Sequence, residues 1–328
     1  MPITHDVYLK AWALQHPQMG YATILLDEAQ DTTELMVAVL AEQQHAQLVV
    51  VGDRYQQIYG WRGAVNAMTS FRTDAIGHLT QSFRFGPAIA RAANAALATY
   101  ADADMRIRGL ATIRSRVGKA DAPRAVLART NAGLIGELIK TQLRFPDDRF
   151  AVVGGTGELE ALVRRAVDLM QDRRTAQREL AEFADWETAR MASEDPEHAY
   201  LRPLVKLLNT YDPALLLQQL HRAHGNERDE TTCRQVFSTV HKAKGREFAS
   251  VALIDDFPER PPSSKPGTLG NWDTAEGNLL YVAMTRARDL LDVSECPAAL
   301  DALQRYRRPT SRTAVAKSAR AGHRHTAG

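Results

Sequence analysis

Two consecutive acidic residues, Asp27 and Glu28, directly follow a short apolar run near the start of the chain. One carboxylate can hold Mg²⁺ while its neighbour orients or deprotonates an attacking water, which is what nucleotide hydrolysis requires. Acidic residues at the start of a helix are also favoured by the helix dipole, without any catalytic role. The pair alone leaves both interpretations open, so the surrounding residues must decide between them.

A second group of chemically capable residues follows the next apolar run and contains Gln56, Tyr59, Trp61 and Arg62. A glutamine side chain can sense a phosphate or the water that attacks it. Aromatic rings that face solvent can stack on nucleic-acid bases, which contributes roughly 1–3 kcal/mol per base. Both aromatics could instead belong to a hydrophobic core, but the glycines and the arginine around Trp61 indicate an exposed turn.

Two short apolar runs would position these groups, and both end in an acidic residue. Residues 22–27 are Ala-Thr-Ile-Leu-Leu-Asp, and residues 48–53 are Leu-Val-Val-Val-Gly-Asp. Runs without alternation predict strands that are buried on both faces of a parallel sheet. The stretch 32–43 predicts a connecting helix with a threonine cap. In open parallel sheets ligands bind at the carboxyl ends of the strands, so Asp27 and Asp53 should face one site.

The remainder of the chain continues to alternate between strand-like and helix-like segments. Helical segments are predicted at 87–100, at 157–222 and at 276–291. Buried strands are predicted at 124–128, 150–153, 236–241 and 250–255, and a proline-rich loop at 258–270. This alternation predicts an α/β fold with parallel sheets.

Four regions follow from the pattern of elements. They are a partial first α/β domain at 1–75, a second α/β domain at 76–156 and 235–300, a helical insertion at 157–234, and a basic disordered tail at 301–328. From Arg305 onward the tail lacks large apolar residues, so it cannot bury enough surface to fold. Its positive charges could contact phosphates or could simply keep the chain soluble.

Bulk composition limits the class of protein. The 328 residues are 45% hydrophobic and 24% charged, which is typical of a soluble globular chain. The formal net charge of +2 argues neither for nor against nucleic-acid binding. Cys233 and Cys296 lack the spacing of metal ligands and are typical of reduced thiols. Neither a membrane-spanning run nor a signal-peptide pattern occurs, so we expect a cytoplasmic protein.

The acidic and aromatic segments match a known pattern. Leu-Leu-Asp-Glu-Ala-Gln-Asp at 25–31 and Val-Gly-Asp-x-x-Gln-x-Ile-Tyr-Gly-Trp-Arg-Gly-Ala at 51–64 resemble motifs II and III of UvrD/Rep/PcrA-type superfamily-one DNA helicases. Later segments resemble the motifs that follow, in the same order: Gln-Ser-Phe-Arg at 81–84, Ala-Arg-Thr-Asn at 128–131, Ser-Thr-Val-His-Lys-Ala-Lys-Gly-Arg-Glu-Phe at 238–248, and Asn-Leu-Leu-Tyr-Val-Ala-Met-Thr-Arg-Ala-Arg at 278–288. Within this family the sequence most resembles the F-box DNA helicase type.

The resemblance implies RecA-like domains that bind ATP and Mg²⁺. Asp27 would coordinate the metal, and Glu28 would activate the water. Gln56 would couple the γ-phosphate to the DNA site. Arg84 and Arg286 would reach the γ-phosphate from the second domain, where their planar, permanent charge suits the transition state.

Further roles are implied on the nucleotide side and on the DNA side. Phe83 stands where the family usually has a tyrosine that packs on adenine, and a phenyl ring can still stack. The nucleotide would also be bordered by Gly245 and Glu247, with Glu247 at the ribose. The implied DNA-binding residues are Tyr59, Trp61, Arg62, Thr239 and His241. Arg288 is expected at the surface, and Lys242 and Lys244 remain open between solvated charges and functional groups.

One expected element is absent from the sequence. A motor of this type needs Gly-x-x-x-x-Gly-Lys-[Ser/Thr], a loop that wraps the phosphates and whose hydroxyl binds Mg²⁺. The only Gly-Lys pair, at 118–119, follows the acidic motif and lacks a glycine at the required distance. We therefore expect an N-terminally truncated first domain.

Two functions from different classes remain. The first is an ATP-dependent 3′–5′ DNA helicase or translocase that acts on single-stranded DNA and on junctions of single and double strands. The second is a non-hydrolysing module, derived from such a helicase, that binds single-stranded DNA or a protein partner. A separate chain could also supply the missing N-terminal half.

Overall fold

The computed structural model describes residues 5–60, 63–101, 103, 105–171, 173, 180–258 and 274–307. Trp61, Arg62, most of the predicted proline-rich loop and the tail beyond Arg307 lie outside the described residues. Within the described part, no helix is both long and apolar enough to cross a membrane.

The N-terminal part is a small α/β unit. Its elements are α1 (His5–Ala13), β1 (Thr23–Leu26), β2 (Thr32–Thr33), α2 (Glu34–Ala41), β3 (Gln47–Val50) and β4 (Ala64–Val65). β1 and β3 are parallel and in register from Thr23 opposite Gln47 to Leu26 opposite Val50. Thr33 caps α2 and accepts a hydrogen bond from the Met36 N–H at 3.4 Å. The predicted strand–helix–strand unit is therefore present, with both strands ending just before the acidic positions.

The burial of β1 and β3 differs from the prediction. Exposure alternates along both strands, and the Leu25 side of the sheet is open, with Leu25 itself 72% exposed. The prediction of burial on both faces was wrong. An apolar run predicts that a strand can be covered, but coverage needs a neighbouring layer, and β1 and β3 pair only with each other among the described residues.

The second part is built on a six-stranded parallel sheet in the order β7-β12-β11-β8-β10-β9. Its strands are β7 (Arg116–Val117), β8 (Ala125–Ala128), β9 (Phe150–Val152), β10 (Gln235–Thr239), β11 (Phe248–Leu253) and β12 (Ala287–Asp292). A separate short parallel pair joins β5 (Gln81–Ser82) to β6 (Arg108–Gly109). The predicted α/β fold is confirmed, and the sheet and its helices are consistent with a RecA-like domain.

Helices cover both faces of this sheet. They are α3 (Pro87–Tyr100), α4 (Asn131–Arg144), α5 (Gly157–Met170), α6 (Trp186–Ala192), α7 (Arg202–Thr210), α8 (Pro213–Ala223), α9 (Val240–Ala243), α10 (Thr274–Met284) and α11 (Pro297–Arg307). Along β8, Ala125 and Leu127 face the core formed with α3, α10 and α11, whereas Val126 and Ala128 face the core formed with α4, α5, α7 and α8. The helices of the proposed insertion therefore share a hydrophobic core with the sheet.

Two sequence predictions need correction in this part. The helix expected at 276–291 ends at Met284, and residues 287–292 form β12, paired with β11 from Phe248 opposite Ala287. The disordered tail expected from residue 301 is wrong for residues 301–307, because α11 continues to Arg307 and buries Ala302 in the core. In both cases tertiary packing decides between conformations that the local pattern alone leaves open.

A carboxylate fixes the start of α4. Asp256 accepts hydrogen bonds from the backbone N–H groups of Arg129 and Thr130, both at 2.8 Å, and from the Thr130 hydroxyl at 3.1 Å. Gly133 leaves room for it, since a Cβ there would lie 2.4 Å from Asp256 Oδ2. Burial raises the pKa of Asp256 to about 6, and these hydrogen bonds offset only part of that effect.

We expect Asp256 to make stability fall as pH rises. Because the pKa is higher in the folded chain than in the unfolded one, the stabilisation is full below pH ~4 and is lost as pH rises through about 6. Its contribution between pH 4.5 and 7 should be about 2 kcal/mol. Chemical denaturation at both pH values measures the free energy of unfolding. Between the lower and the higher pH, this free energy should decrease less for Asp256→Asn than for wild type. The neighbouring, exposed Asp255→Asn is the control, and an equal decrease in all three proteins would contradict the prediction.

Candidate nucleotide and nucleic-acid site

The ends of β1 and β3 are joined by a buried glutamine. Gln30 Nε2 donates to Glu28 Oε2 at 2.5 Å, and Gln30 Oε1 accepts from the Asp53 N–H at 3.0 Å. Gly52 permits this approach, because a Cβ there would lie 2.5 Å from Gln30 Oε1. Asp27 Oδ1 accepts from the Glu28 N–H at 2.9 Å. The structure thus brings Asp27, Glu28 and Asp53 to one edge, as expected for parallel strands.

Glu28 has an unusual backbone conformation. Its φ is +50°, in the left-handed region that non-glycine residues seldom adopt. Its side chain is 62% exposed. A residue keeps such a strained backbone only where its surroundings support it, and strained residues of this kind are typical of functional positions. Gln30 supplies part of that support.

Asp53 links the N-terminal part to α10. Its Oδ2 accepts hydrogen bonds from the Tyr281 hydroxyl and from Gln56 Nε2, both at 2.9 Å. Burial raises the pKa of Tyr281 well above its usual range, so the hydroxyl stays protonated and remains a donor. Asn278 on the same helix donates to the Gln57 carbonyl at 3.1 Å. The segment that carries Gln56 is therefore packed directly on α10.

The two predicted arginine fingers lie close to each other but have different surroundings. Arg84 pairs with Glu247, with Nε 2.6 Å from Oε1, and donates to the Thr285 carbonyl at 3.3 Å. Arg286 is 1% exposed and donates to neutral oxygens only: the Val282 carbonyl, the Arg246 carbonyl and the Thr285 hydroxyl. Among the described residues, no carboxylate forms an ion pair with Arg286.

Within the described part of the chain, the Arg286 guanidinium is therefore a buried positive charge without an ion-pair partner. Burial and the nearby Arg84 lower its pKa to about 10, so it remains charged at neutral pH. Among the residues that the structure describes, the two arginines together form an ion pair with one carboxylate, Glu247. A site with excess positive charge and planar donors suits a polyphosphate anion.

A cavity of about 870 Å³ lies between the two parts of the chain. The N-terminal side contributes Gly52, Asp53 and Gln56, and the other side contributes Arg84, Tyr281 and Thr285. Phe83, expected to stack on adenine, is not part of this lining and is 76% exposed. Gly245, two residues before Glu247, has a φ of +80°, and a Cβ built there would meet no atom within 4 Å.

Two of the residues expected to bind DNA, Tyr59 and His241, lie together where the N-terminal part of the chain packs on the second part. The Tyr59 hydroxyl donates to the His241 carbonyl at 2.9 Å, and the two ring centres are 5.9 Å apart. The Thr239 side chain accepts from the Lys242 N–H at 3.5 Å and caps α9, so its oxygen already has a structural use. Tyr59 and His241 are brought together, whereas Thr239 acts in the structure as a helix cap.

Lys244, left open by the sequence, lies between these two sets of residues. Its ammonium contacts Asp31, donates to the Gln56 carbonyl at 2.9 Å, and lies 3.6 Å from Glu28 Oε2. It also lies 5.4 Å from the centre of the Tyr59 ring. Lys244, Asp31 and Tyr281 are among the residues of the site to which sequence reasoning gave no definite role. All three fall inside the matched motifs, which was the only available signal.

Comparison with protein-family models is consistent with this geometry. Residues 4–75 match the UvrD/REP helicase N-terminal domain, and residues 158–297 match the UvrD-like helicase C-terminal domain. The chain belongs to the UvrD-like helicase family. The acidic strand ends lie in the first match, and Lys244 and Arg286 lie in the second.

Curated relatives support the same family. The chain is 31% identical over 325 residues to F-box DNA helicase 1 of Gallus gallus, covering 89% of this chain and 31% of the relative. It is 29% identical over 331 residues to F-box DNA helicase protein 1 of Schizosaccharomyces pombe, covering 92% and 37%. DNA helicase II of Escherichia coli is 38% identical over 99 residues. The chain spans about a third of the length of the F-box relatives, 31% and 37% respectively.

UvrD-like helicases use ATP with Mg²⁺, and the acidic residues of this chain fit the metal. Mg²⁺ is usually held by one or two carboxylates together with substrate phosphates, and Asp27 and Glu28 offer exposed carboxylate oxygens. A larger cluster of metal-ligating side chains is absent from the described residues, and Mg²⁺ does not require one. Arg84 lines the cavity and offers a guanidinium for a triphosphate, whereas Arg286 is not one of the residues that line it.

Proposed function

We propose that this chain forms part of an ATP-dependent 3′–5′ DNA helicase or translocase. The observation that carries the proposal is the cavity in which Asp53 and Gln56 face Arg84 across the two parts of the chain. Family membership supports the reaction class. The direction of movement and the preference for single-stranded DNA and strand junctions follow from the resemblance of the motifs.

In this proposal each residue acts at a defined point. Bound Mg²⁺-ATP supplies the phosphoryl group whose release drives movement. Glu28 orients the water and accepts its proton, and Asp27 provides the oxygen that holds the metal. Arg84 and Arg286 neutralise charge that develops on the phosphates. Gln56, bonded to Asp53 and Lys244, links this chemistry to the DNA side.

The DNA side uses Tyr59 and His241, with Trp61 and Arg62 proposed beside them. A tyrosine ring offers a face for a base at low cost in conformational entropy. The 328 residues contain no Gly-x-x-x-x-Gly-Lys-[Ser/Thr] segment. We propose that the phosphate-binding loop reaches the open side of β1 and β3 from outside these 328 residues, and a separate chain is one source that would provide it.

The location is proposed from the thiols. Cys233 and Cys296 are both buried and free. Burial raises the pKa of Cys296 to about 12, so this thiol resists oxidation. Free thiols of this kind are typical of reducing compartments, which supports a cytoplasmic location.

An ATPase assay with single-stranded DNA tests the proposal. Glu28→Gln should lower DNA-stimulated turnover at least ~100-fold, because a general base typically contributes that much. Glu34→Gln, which changes another exposed glutamate in the same region, should leave turnover unchanged. Measurable wild-type turnover that Glu28→Gln leaves unchanged would contradict the role of Glu28.

A second candidate is the non-hydrolysing module that binds single-stranded DNA or a protein partner. The missing phosphate-binding loop favours it for the chain alone. This candidate predicts DNA binding without turnover, with affinity lowered roughly tenfold in Tyr59→Ala, the loss expected for one stacked base. Turnover by wild type would exclude it.

A further inference from the structure

Lys244 is the residue at which the nucleotide-side acids meet the DNA-side aromatic ring. Its side chain is 9% exposed, although lysine is normally a surface residue. Its ammonium contacts Asp31 and the Gln56 carbonyl and lies 3.6 Å from Glu28 Oε2. Because the Tyr59 ring lies over the same ammonium, a change at Tyr59 reaches Glu28 through a single side chain.

The neighbouring basic residues show that this placement is specific. Lys242 pairs with Glu158 of α5 at 2.9 Å, and Arg246 pairs with Glu230 at 2.5 Å. Both partners belong to the region between 157 and 234. Of these three basic side chains, Lys244 is the one that forms ion pairs with the N-terminal part of the chain among the described residues, and it is also the most buried.

A buried ammonium cannot move independently of its partners. Removing its carboxylate would leave an uncompensated charge, which is strongly unfavourable, so Lys244 and Asp31 must shift together. Asp31 lies three residues after Glu28, and both flank Gln30, which fixes the Glu28 carboxylate at 2.5 Å. A displacement of Lys244 therefore changes the position of Glu28. Tyr59 is fixed in turn to His241, three residues before Lys244.

We propose that Lys244 is the positioning residue that couples nucleic-acid binding at Tyr59 to the nucleotide site at Glu28 and Gln56. This inference rests on the proposed function. It assigns a role to Lys244 that differs from direct contact with DNA or with phosphate. Coupling between two ligand sites appears as a change in the affinity for one ligand when the other is bound.

The test compares Lys244→Met with Lys244→Arg and Lys242→Met. Fluorescence anisotropy measures the Kd of a labelled oligothymidine with and without Mg²⁺ and a non-hydrolysable ATP analogue. The ratio of the two Kd values should be about fivefold or more in wild type, the usual range for coupled sites. Lys244→Met should bind each ligand alone but give a ratio near one. Lys244→Arg should restore much of the coupling, and Lys242→Met should retain it.

A second variant keeps the test decisive if Lys244→Met unfolds. Asp31→Asn leaves the lysine in place but removes its main carboxylate partner, and should also bring the ratio near one. An unchanged ratio in both variants would overturn the inference, as would a ratio of one in wild type. If wild type binds neither the oligothymidine nor the ATP analogue, that result would instead overturn the proposed function, and the inference with it.

Discussion

Arg286→Met is expected to abolish triphosphate binding by this chain while leaving its thermal stability within a few degrees of wild type. Arg286 is buried without an acidic partner among the described residues, so its charge opposes folding. An incoming anion would supply the missing counter-charge. The residue is therefore expected to matter more for binding than for stability.

The magnitudes support that separation. The lowered pKa of about 10 corresponds to roughly 3 kcal/mol for keeping the guanidinium charged inside the protein. Methionine removes this cost but also removes hydrogen bonds to the Val282 carbonyl, the Arg246 carbonyl and the Thr285 hydroxyl. At about 1 kcal/mol each, these losses nearly cancel the gain. Methionine also keeps most of the side-chain volume, so little cavity should form.

Calorimetric titration with ATP or pyrophosphate measures the binding effect, and thermal denaturation measures stability. Arg288→Met is the matched control, because Arg288 lies two residues later on the exposed side of β12. In wild type and in the control, pyrophosphate should raise the melting temperature. Unchanged affinity in Arg286→Met would show that this guanidinium does not meet the phosphates.

The regular elements were largely predictable because apolar runs and caps are local signals. Strand and helix could not be separated at 285–291, where mostly polar residues lead to Leu290 and Leu291 and only pairing with β11 decides the outcome. The exposure of Leu25 was also unpredictable. An apolar sequence shows that a strand can be buried, but its burial depends on whether another part of the structure packs on it.

The site was predictable as a set of residues but not as a set of contacts. Motif resemblance pointed to Glu28, Arg84 and Arg286, because residue type and spacing carry the match. The Lys244–Asp31 contact joins residues more than 200 positions apart, and nothing local distinguishes Lys244 from Lys242. The hydroxyl of Thr239, by contrast, has a local use as a helix cap that the sequence would have allowed.

Gly109→Ala is expected to destabilise the fold by roughly 2–3 kcal/mol, in the range of overpacked positions. A Cβ at residue 109 would lie 2.2 Å from the Gly86 carbonyl carbon and 2.7 Å from the Pro87 nitrogen. These atoms are backbone at the start of α3 and cannot rotate away. Gly86 is itself confined, because a Cβ there would lie 2.0 Å from the Ile113 carbonyl oxygen.

The same substitution should also weaken the nucleotide site. Ser82 pairs with Gly109, and the chain passes from Ser82 through Arg84 to Gly86, so we expect the strain to displace Arg84 from Glu247. We expect urea denaturation to show the stability loss and ATP titration to show about tenfold weaker binding, as one charge-assisted contact is worth some 1.5 kcal/mol or more. Gly118→Ala is the control, since a Cβ there meets no atom within 4 Å. Equal stability of the two alanine variants would mean that the close backbone contact between Gly86 and Gly109 can relax. The position of Arg84 would then depend on its contacts with Glu247 and Thr285 rather than on this backbone contact.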